Sequence, residues 1–210
     1  MVARRARVPA PSGGSRVRGL TPAAGNRGQP GSAHFFRRRR RHGSPLAAWA
    51  WHRLPPYARS DLALRGASAL IRELHSAATG FQPATTYRFD PRPPQLGEVV
   101  SHGDLGPWNT VYCGGVPVAF IDWDSAGPVD PLADLAAAAW TFVPLAPPEQ
   151  LAEAGFDPLP DLPARLRAFV DAYRLADRMM ILPELKRCML DEPEQLGWLQ
   201  GIATDLASAL

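Results

Sequence analysis

A chain of 210 residues with 46% apolar residues, 23 prolines and 18 glycines suits one domain, or one with a small companion. Its formal charge of +3 conceals an asymmetry: residues 1–60 hold 13 basic and no acidic residues, leaving 10 basic and 20 acidic residues, a net of −10, for residues 61–210. The part able to build a core is acidic, which excludes a uniformly basic nucleic-acid-binding domain, and the longest apolar stretch, residues 135–146, contains Pro144 and is too short to cross a bilayer.

Residues 1–54 show neither helical nor strand periodicity, hold four β-branched residues (Val2, Val8, Val17, Thr21), and contain the run Arg37-Arg38-Arg39-Arg40-Arg41. Such a segment cannot bury enough apolar area to offset ordering, so it is expected to be disordered or outside the fold. Its arginines suit an arm for anionic polymers, a solvated tail, or a stretch translated from a wrong start or frame. Arg4-Arg5 leads into Pro, Ser and Gly with no apolar h-region, which predicts no secretory signal. Cys113 and Cys188 make no disulfide framework. Together these features predict a cytoplasmic protein without a membrane partner.

Order is expected from residue 55. Ser60 is placed to cap a helix whose apolar residues Ala67, Leu70, Ile71, Leu74 and Ala78 follow one helical stripe up to Gly80. His75 falls on the flank of that stripe, as a surface or packing residue. After a proline-rich connector, residues 98–102 read as a short strand. Residues 110–113 and 116–121 are β-rich runs joined by Gly114-Gly115, a hairpin signal. Beyond Asp130-Pro131 the pattern is helical. Asp161 is a cap for a face of Leu162, Leu166, Phe169, Val170 and Tyr173, and Leu196, Leu199, Ile202 and Leu206 predict one final helix. The order is that of an α-rich α+β module.

The stretch 101–135 carries the chemistry: His102, Asp104, Asn109, Asp122 and Asp124 sit beside apolar strand residues. If Cys113 pairs with Val116 and the ladder runs on without a break, Asn109 lies opposite Phe120. Asp122 then leaves the same end of the hairpin, within reach of one cation, and Asp104 is delivered there by a Gly-Pro loop. Two carboxylates and a carboxamide oxygen are hard ligands that favour Mg²⁺ over Zn²⁺. His-x-Asp and Asp-x-Asp could also build a metal-dependent hydrolase. Histidine supply argues against it: His34, His42 and His52 lie in or beside the basic segment, and only His75 and His102 remain.

The run His102-Gly103-Asp104-Leu105-x-x-x-Asn109, then Ile121-Asp122-Trp123-Asp124 and Asp130-Pro131-x-x-Asp134-Leu135-Ala136, resembles the aminoglycoside phosphotransferase family of the protein-kinase-like superfamily. The segment Leu70 to His75 resembles the helix that precedes the catalytic loop in that family. The resemblance implies a protein-kinase-like C-terminal lobe over residues 55–210, mostly helical with a small catalytic hairpin. It implies a small-molecule kinase that uses Mg²⁺ and ATP or GTP and phosphorylates a hydroxyl. In that scheme Asp104 accepts the hydroxyl proton. Asn109 and Asp122 hold Mg²⁺, and Asp124 is a second metal contact or a solvated neighbour. His102 supports the loop, Asp134 fixes it by accepting backbone N–H bonds, and Asp130 starts a helix. Trp108 and Trp123 wall the site or pack in the core.

The family also implies a nucleotide-binding lobe upstream, with a Gly-rich loop, a lysine and its acidic partner. Here the chain's single lysine is Lys186, no acidic residue precedes Asp61, and the glycines of residues 13–19 have no strands around them. Most of that lobe is therefore expected to be missing, so a catalytically weak or inactive member is the alternative, followed by the hydrolase and the Arg-rich interaction protein. Acidic residues of the C-terminal helices, Asp157, Asp161, Asp171, Asp177, Asp191, Glu192 and Glu194, either attract a cationic substrate or are caps and solvated faces.

Overall fold

The computed structural model describes residues 55–83, 87, 92–190 and 192–210. The reading of residues 1–54, including the arginine run and the glycines of residues 13–19, lies outside the described residues. The described chain is α+β: seven helices and two two-stranded antiparallel sheets. Helix α1 is Asp61–Ala78, followed by strands β1 (Val99–Ser101), β2 (Thr110–Cys113), β3 (Val116–Phe120) and β4 (Gly127–Val129). The helices α2 (Pro131–Phe142), α3 (Pro148–Glu153), α4 (Leu162–Tyr173), α5 (Ile181–Cys188), α6 (Pro193–Gly201) and α7 (Ala203–Ala209) complete it.

Caps set the helix starts as their residue types require. Ser60 Oγ accepts from the Ala63 N–H at 3.1 Å, Asp130 from Leu132 and Ala133, and Asp161 from Ala164. The buried side of α1 is Ala63, Leu64, Ala67, Ser68, Ile71 and His75, whereas Leu70, Leu74 and Ala78 are half-buried. The buried face is thus turned from the apolar stripe of the sequence. Two polar residues share it, because Ser68 Oγ donates to the Phe169 carbonyl of α4 and His75 has buried partners of its own.

Helix α2 is buried from Ala133 to Phe142 on every side. Its alanines let neighbouring helices approach closely, and Trp140, Leu135 and Leu145 fill the centre with Leu64, Ile71, Leu105, Leu166, Phe169, Ile181 and Leu185. The final helical segment is not one helix: it breaks at Ile202 (φ −102°, ψ 4°), between α6 and α7, beside Gly201.

The sheets are nested. Strand β1 pairs with β4, Ser101 opposite Gly127, and within that pair lies the β2–β3 hairpin. Gly114 (φ 58°) and Gly115 (φ 81°) make the tight turn, both with the positive φ that a two-residue hairpin loop demands. The register differs from the unbroken ladder. Cys113 pairs with Val116 and Tyr112 with Pro117, but Val111 pairs with Ala119 and Thr110 with Phe120, so a bulge lies between Val111 and Tyr112. Pro117 has no N–H to offer the ladder, and bulges are where strands accommodate proline. The extra residue brings the level of Asn109 to Ile121 rather than Phe120, and the Ile121 N–H donates to the Asn109 carbonyl at 2.9 Å. Asp122 therefore follows Asn109's partner by one residue.

Candidate active site

Between the outer strand pair and the inner hairpin run two arms, residues 102–109 and 121–126, held side by side. Every polar residue singled out by the motif lies on one of them, apart from Asp130 and Asp134. Backbone hydrogen bonding and close packing join the arms. Ile121 N–H bonds the Asn109 carbonyl, His102 Nε2 lies 2.7 Å from the Ile121 carbonyl, and Gly103 packs directly on the Ser125 backbone. Gly103 has φ +79°, and a Cβ there would stand 2.1 Å from the Ser125 oxygen, so glycine is required both for the backbone and for the approach.

On the first arm, His102 is fully buried. A carbonyl can only accept, so His102 Nε2 carries a proton and donates to Ile121, and Nδ1 accepts the Asp104 N–H at 3.3 Å. Its ring lies 4.8 Å from that of Trp123, whose Nε1 donates to the Phe120 carbonyl. Trp123 is partly exposed on this side, whereas Trp108 packs against the core. Both nitrogens of His102 are engaged by backbone, one on each arm.

Asn109 is buried at the end of a 3₁₀ turn, Pro107–Asn109. Its Nδ2 donates to the Asp104 carbonyl at 2.9 Å and to Asp104 Oδ2 at 3.0 Å. Both partners are acceptors, which sets the carboxamide orientation: nitrogen toward Asp104, Oδ1 away from it.

On the second arm, Asp122 occupies the left-handed region (φ 65°, ψ 61°), which Asp tolerates better than most residues. It precedes the 3₁₀ turn Trp123–Ser125 but makes no side-chain capping bond. Its carboxylate is solvent-exposed, as is Asp124. The donor set offered by Asn109 Oδ1 and the Asp122 carboxylate is all oxygen, which fits a hard divalent cation such as Mg²⁺. Among the described residues no group of three or more His, Cys, Asp or Glu is placed to hold a metal ion.

Asp134 is elsewhere. Fully buried in the first turn of α2, it accepts through Oδ2 from Ser101 Oγ at 2.6 Å and lies 3.0 Å from His75 Nε2, while Oδ1 has no hydrogen-bond partner. The backbone N–H bonds expected for it are replaced by side-chain donors. Of the two expectations for His75, surface or packing, the surface one is corrected: the residue is 4% exposed and packs between Asp134 and the Tyr173 hydroxyl at 2.8 Å. A charged residue in a helix apolar on all sides must be paired, and only two histidines lie beyond residue 52. That signal could have found the pair. Ser101, Tyr173 and Thr141, whose hydroxyl reaches the Leu105 carbonyl at 3.2 Å, carried none. Several acidic residues of the C-terminal helices are structural: Asp161 and Asp177 cap helical turns, and Asp171 pairs with Arg178 and Arg167.

Between the nested strands the His102-to-Asn109 loop lies beside the Asp122 arm. The chain belongs to the phosphotransferase enzyme family, whose model matches residues 23–169. The match begins within the basic segment and ends within α4. The chain is similar to the trifolitoxin immunity protein of Rhizobium leguminosarum bv. trifolii, 34% identical over 111 residues that cover 51% of this chain and 42% of the relative. It thus spans less than half the length of that relative. No solved structure matches the chain. No helix among the described residues is long and apolar enough to cross a membrane.

Proposed function

We propose that residues 55–210 form a protein-kinase-like C-terminal lobe that transfers the γ-phosphate of ATP or GTP to the hydroxyl of a small molecule. The observation that carries this reading is the bond pair between Asn109 Nδ2 and Asp104, which holds a carboxylate in place and turns the carboxamide oxygen away from Asp104. Asp104 orients the substrate hydroxyl and accepts its proton as the oxygen attacks phosphorus. Asn109 Oδ1 and the Asp122 carboxylate are the residues that would hold Mg²⁺, with Asp124 beside them. When bound, the ion neutralises charge on the nucleotide phosphates. His102 keeps Asp104 in register through the Asp104 N–H, and Trp123 shields that contact. Positioning supplies most of the rate in phosphoryl transfer, so the rigidity of the two arms is the chain's main contribution.

Binding without efficient transfer is a second reading, favoured by one observation. The family resemblance calls for a lysine on the phosphates upstream of the loop, and this chain's one lysine, Lys186, lies in α5 on an exposed position.

Calorimetric titration of the full chain with Mg-ATP and Mg-GTP, followed by transfer of labelled γ-phosphate to a panel of amino sugars, choline-like alcohols and sugars, tests both. Heat with transfer supports the first reading and heat without transfer the second. No heat with either nucleotide refutes both.

A further inference from the structure

We propose that His75 is a positioning residue for the loop that carries Asp104, acting through Asp134 and Ser101. The role rests on the reading of Asp104 as the base. Four elements meet at one buried carboxylate. His75 comes from α1, Tyr173 from the end of α4, Asp134 from the first turn of α2 and Ser101 from the last residue of β1. Asp134 and Ser101 are fully buried. Asp134 accepts only, so His75 Nε2 bears a proton and donates to Oδ2, beside the bond from Ser101 Oγ. Burial, with the charges of Asp134 and Asp130, pushes the Tyr173 phenol up to about 12, so its hydroxyl keeps its proton and donates to His75 Nδ1. Every proton in the chain then points toward the carboxylate: Tyr173 to His75 to Asp134, and Ser101 to Asp134.

What makes this more than a satisfied buried network is where it ends. Ser101 is the residue from which the loop departs. The next residue, His102, accepts the Asp104 N–H, so the tether lies three residues from the Asp104 carboxylate. Helix α2 grips the same segment again farther along. Thr141, seven residues after Asp134, shares its hydroxyl between the Ala138 carbonyl at 2.9 Å and the Leu105 carbonyl at 3.2 Å. Helix α2 thus grips the loop at Ser101 and again at Leu105, and Asp104 lies within that stretch. Releasing Ser101 frees one end and lets Asp104 shift, while the apolar contacts of α2 stay in place. A misplacement of about 1 Å is enough to cost about 10²-fold in rate.

The test uses S101A, H75L, Y173F and the conservative H75Q, whose amide retains a donor toward Asp134, all in the full chain. Hydrogen exchange of backbone amides 102–109 is read against those of 135–140 in α2, with transfer kinetics alongside. In S101A and H75L, exchange over 102–109 should rise about tenfold or more while α2 amides keep their protection. The kcat should fall about 10–100-fold with the nucleotide KM within about threefold, and H75Q should recover most of both. Wild-type loop exchange and kcat in folded S101A would overturn the proposal. So would loss of protection spread equally over loop and α2, the signature of general destabilisation. If H75L does not fold, S101A decides alone. A wild-type chain that transfers no phosphate fails the reading of Asp104, and the exchange comparison still decides whether His75 and Ser101 hold the loop.

Discussion

Asn109 holds Asp104 with one amide nitrogen at two points, 2.9 Å to the backbone carbonyl and 3.0 Å to the carboxylate. The contact fixes the side chain and the backbone of the same residue, five positions away on a loop. It also dictates that Oδ1 is the atom left for a ligand. Asn109→Ala should therefore lose both restraint and ligand: transfer falls about 10²–10³-fold, and stability drops by about 2–4 kcal/mol, the net worth of one neutral bond and one to a charged group. Steady-state kinetics and a urea melt check the two halves separately.

Gly103 marks where the two arms touch. Gly103→Ala must accommodate φ +79° and a Cβ 2.1 Å from the Ser125 carbonyl oxygen, a backbone atom that cannot swing aside. The expected loss is about 2–4 kcal/mol in denaturant unfolding, with activity impaired even at temperatures where the variant is folded.

Two helical glycines predict opposite signs. A Cβ on Gly66 in α1 would meet Pro117 Cδ at 2.7 Å, and that close approach seats the hairpin on the helix. Gly197 in α6 has nothing within 4 Å. Gly197→Ala should gain about 0.5–1 kcal/mol from helix propensity, while Gly66→Ala should lose about 1–3 kcal/mol as strand β3 is pushed off. Thermal or urea melts of the pair check the contrast.

Alkaline pH tests the buried phenols. Burial pushes both Tyr112 and Tyr173 up to about 12, Tyr173 with help from Asp134 and Asp130. A raised folded pKa means that the folded state keeps its proton where the unfolded state, at about 10, loses it. Their contribution is complete below pH about 10 and is lost as pH climbs to about 12. Stability measured across that window should fall more steeply for the wild type than for Y112F or Y173F.

Much of the local structure was legible because it depends on single residues. Ser60, Asp130 and Asp161 cap where their side chains predict, and Gly114-Gly115 turns the hairpin. What was hidden depends on partners distant in sequence. Strand β4, Gly127-Pro128-Val129, has no β-rich run of its own and is a strand only because β1 offers it a ladder. The bulge beside Pro117 was missed because an unbroken register was assumed across a proline. The buried side of α1 was misplaced because apolar periodicity ignores Ser68 and His75, which are buried by hydrogen bonding to α4 and α2 rather than by hydrophobicity. The motif residues on the two arms were legible as a set, but the bond that orients Asn109 was not.

The central proposal is that Asp104 is the base and the Asn109–Asp122 side holds the nucleotide's cation. Asp104→Asn keeps the side-chain shape and removes the proton acceptor. The account predicts that this variant binds Mg-ATP or Mg-GTP with a Kd within about threefold of the wild type while γ-phosphate transfer falls about 10²–10⁴-fold. Transfer at the wild-type rate in a folded Asp104→Asn protein would contradict it.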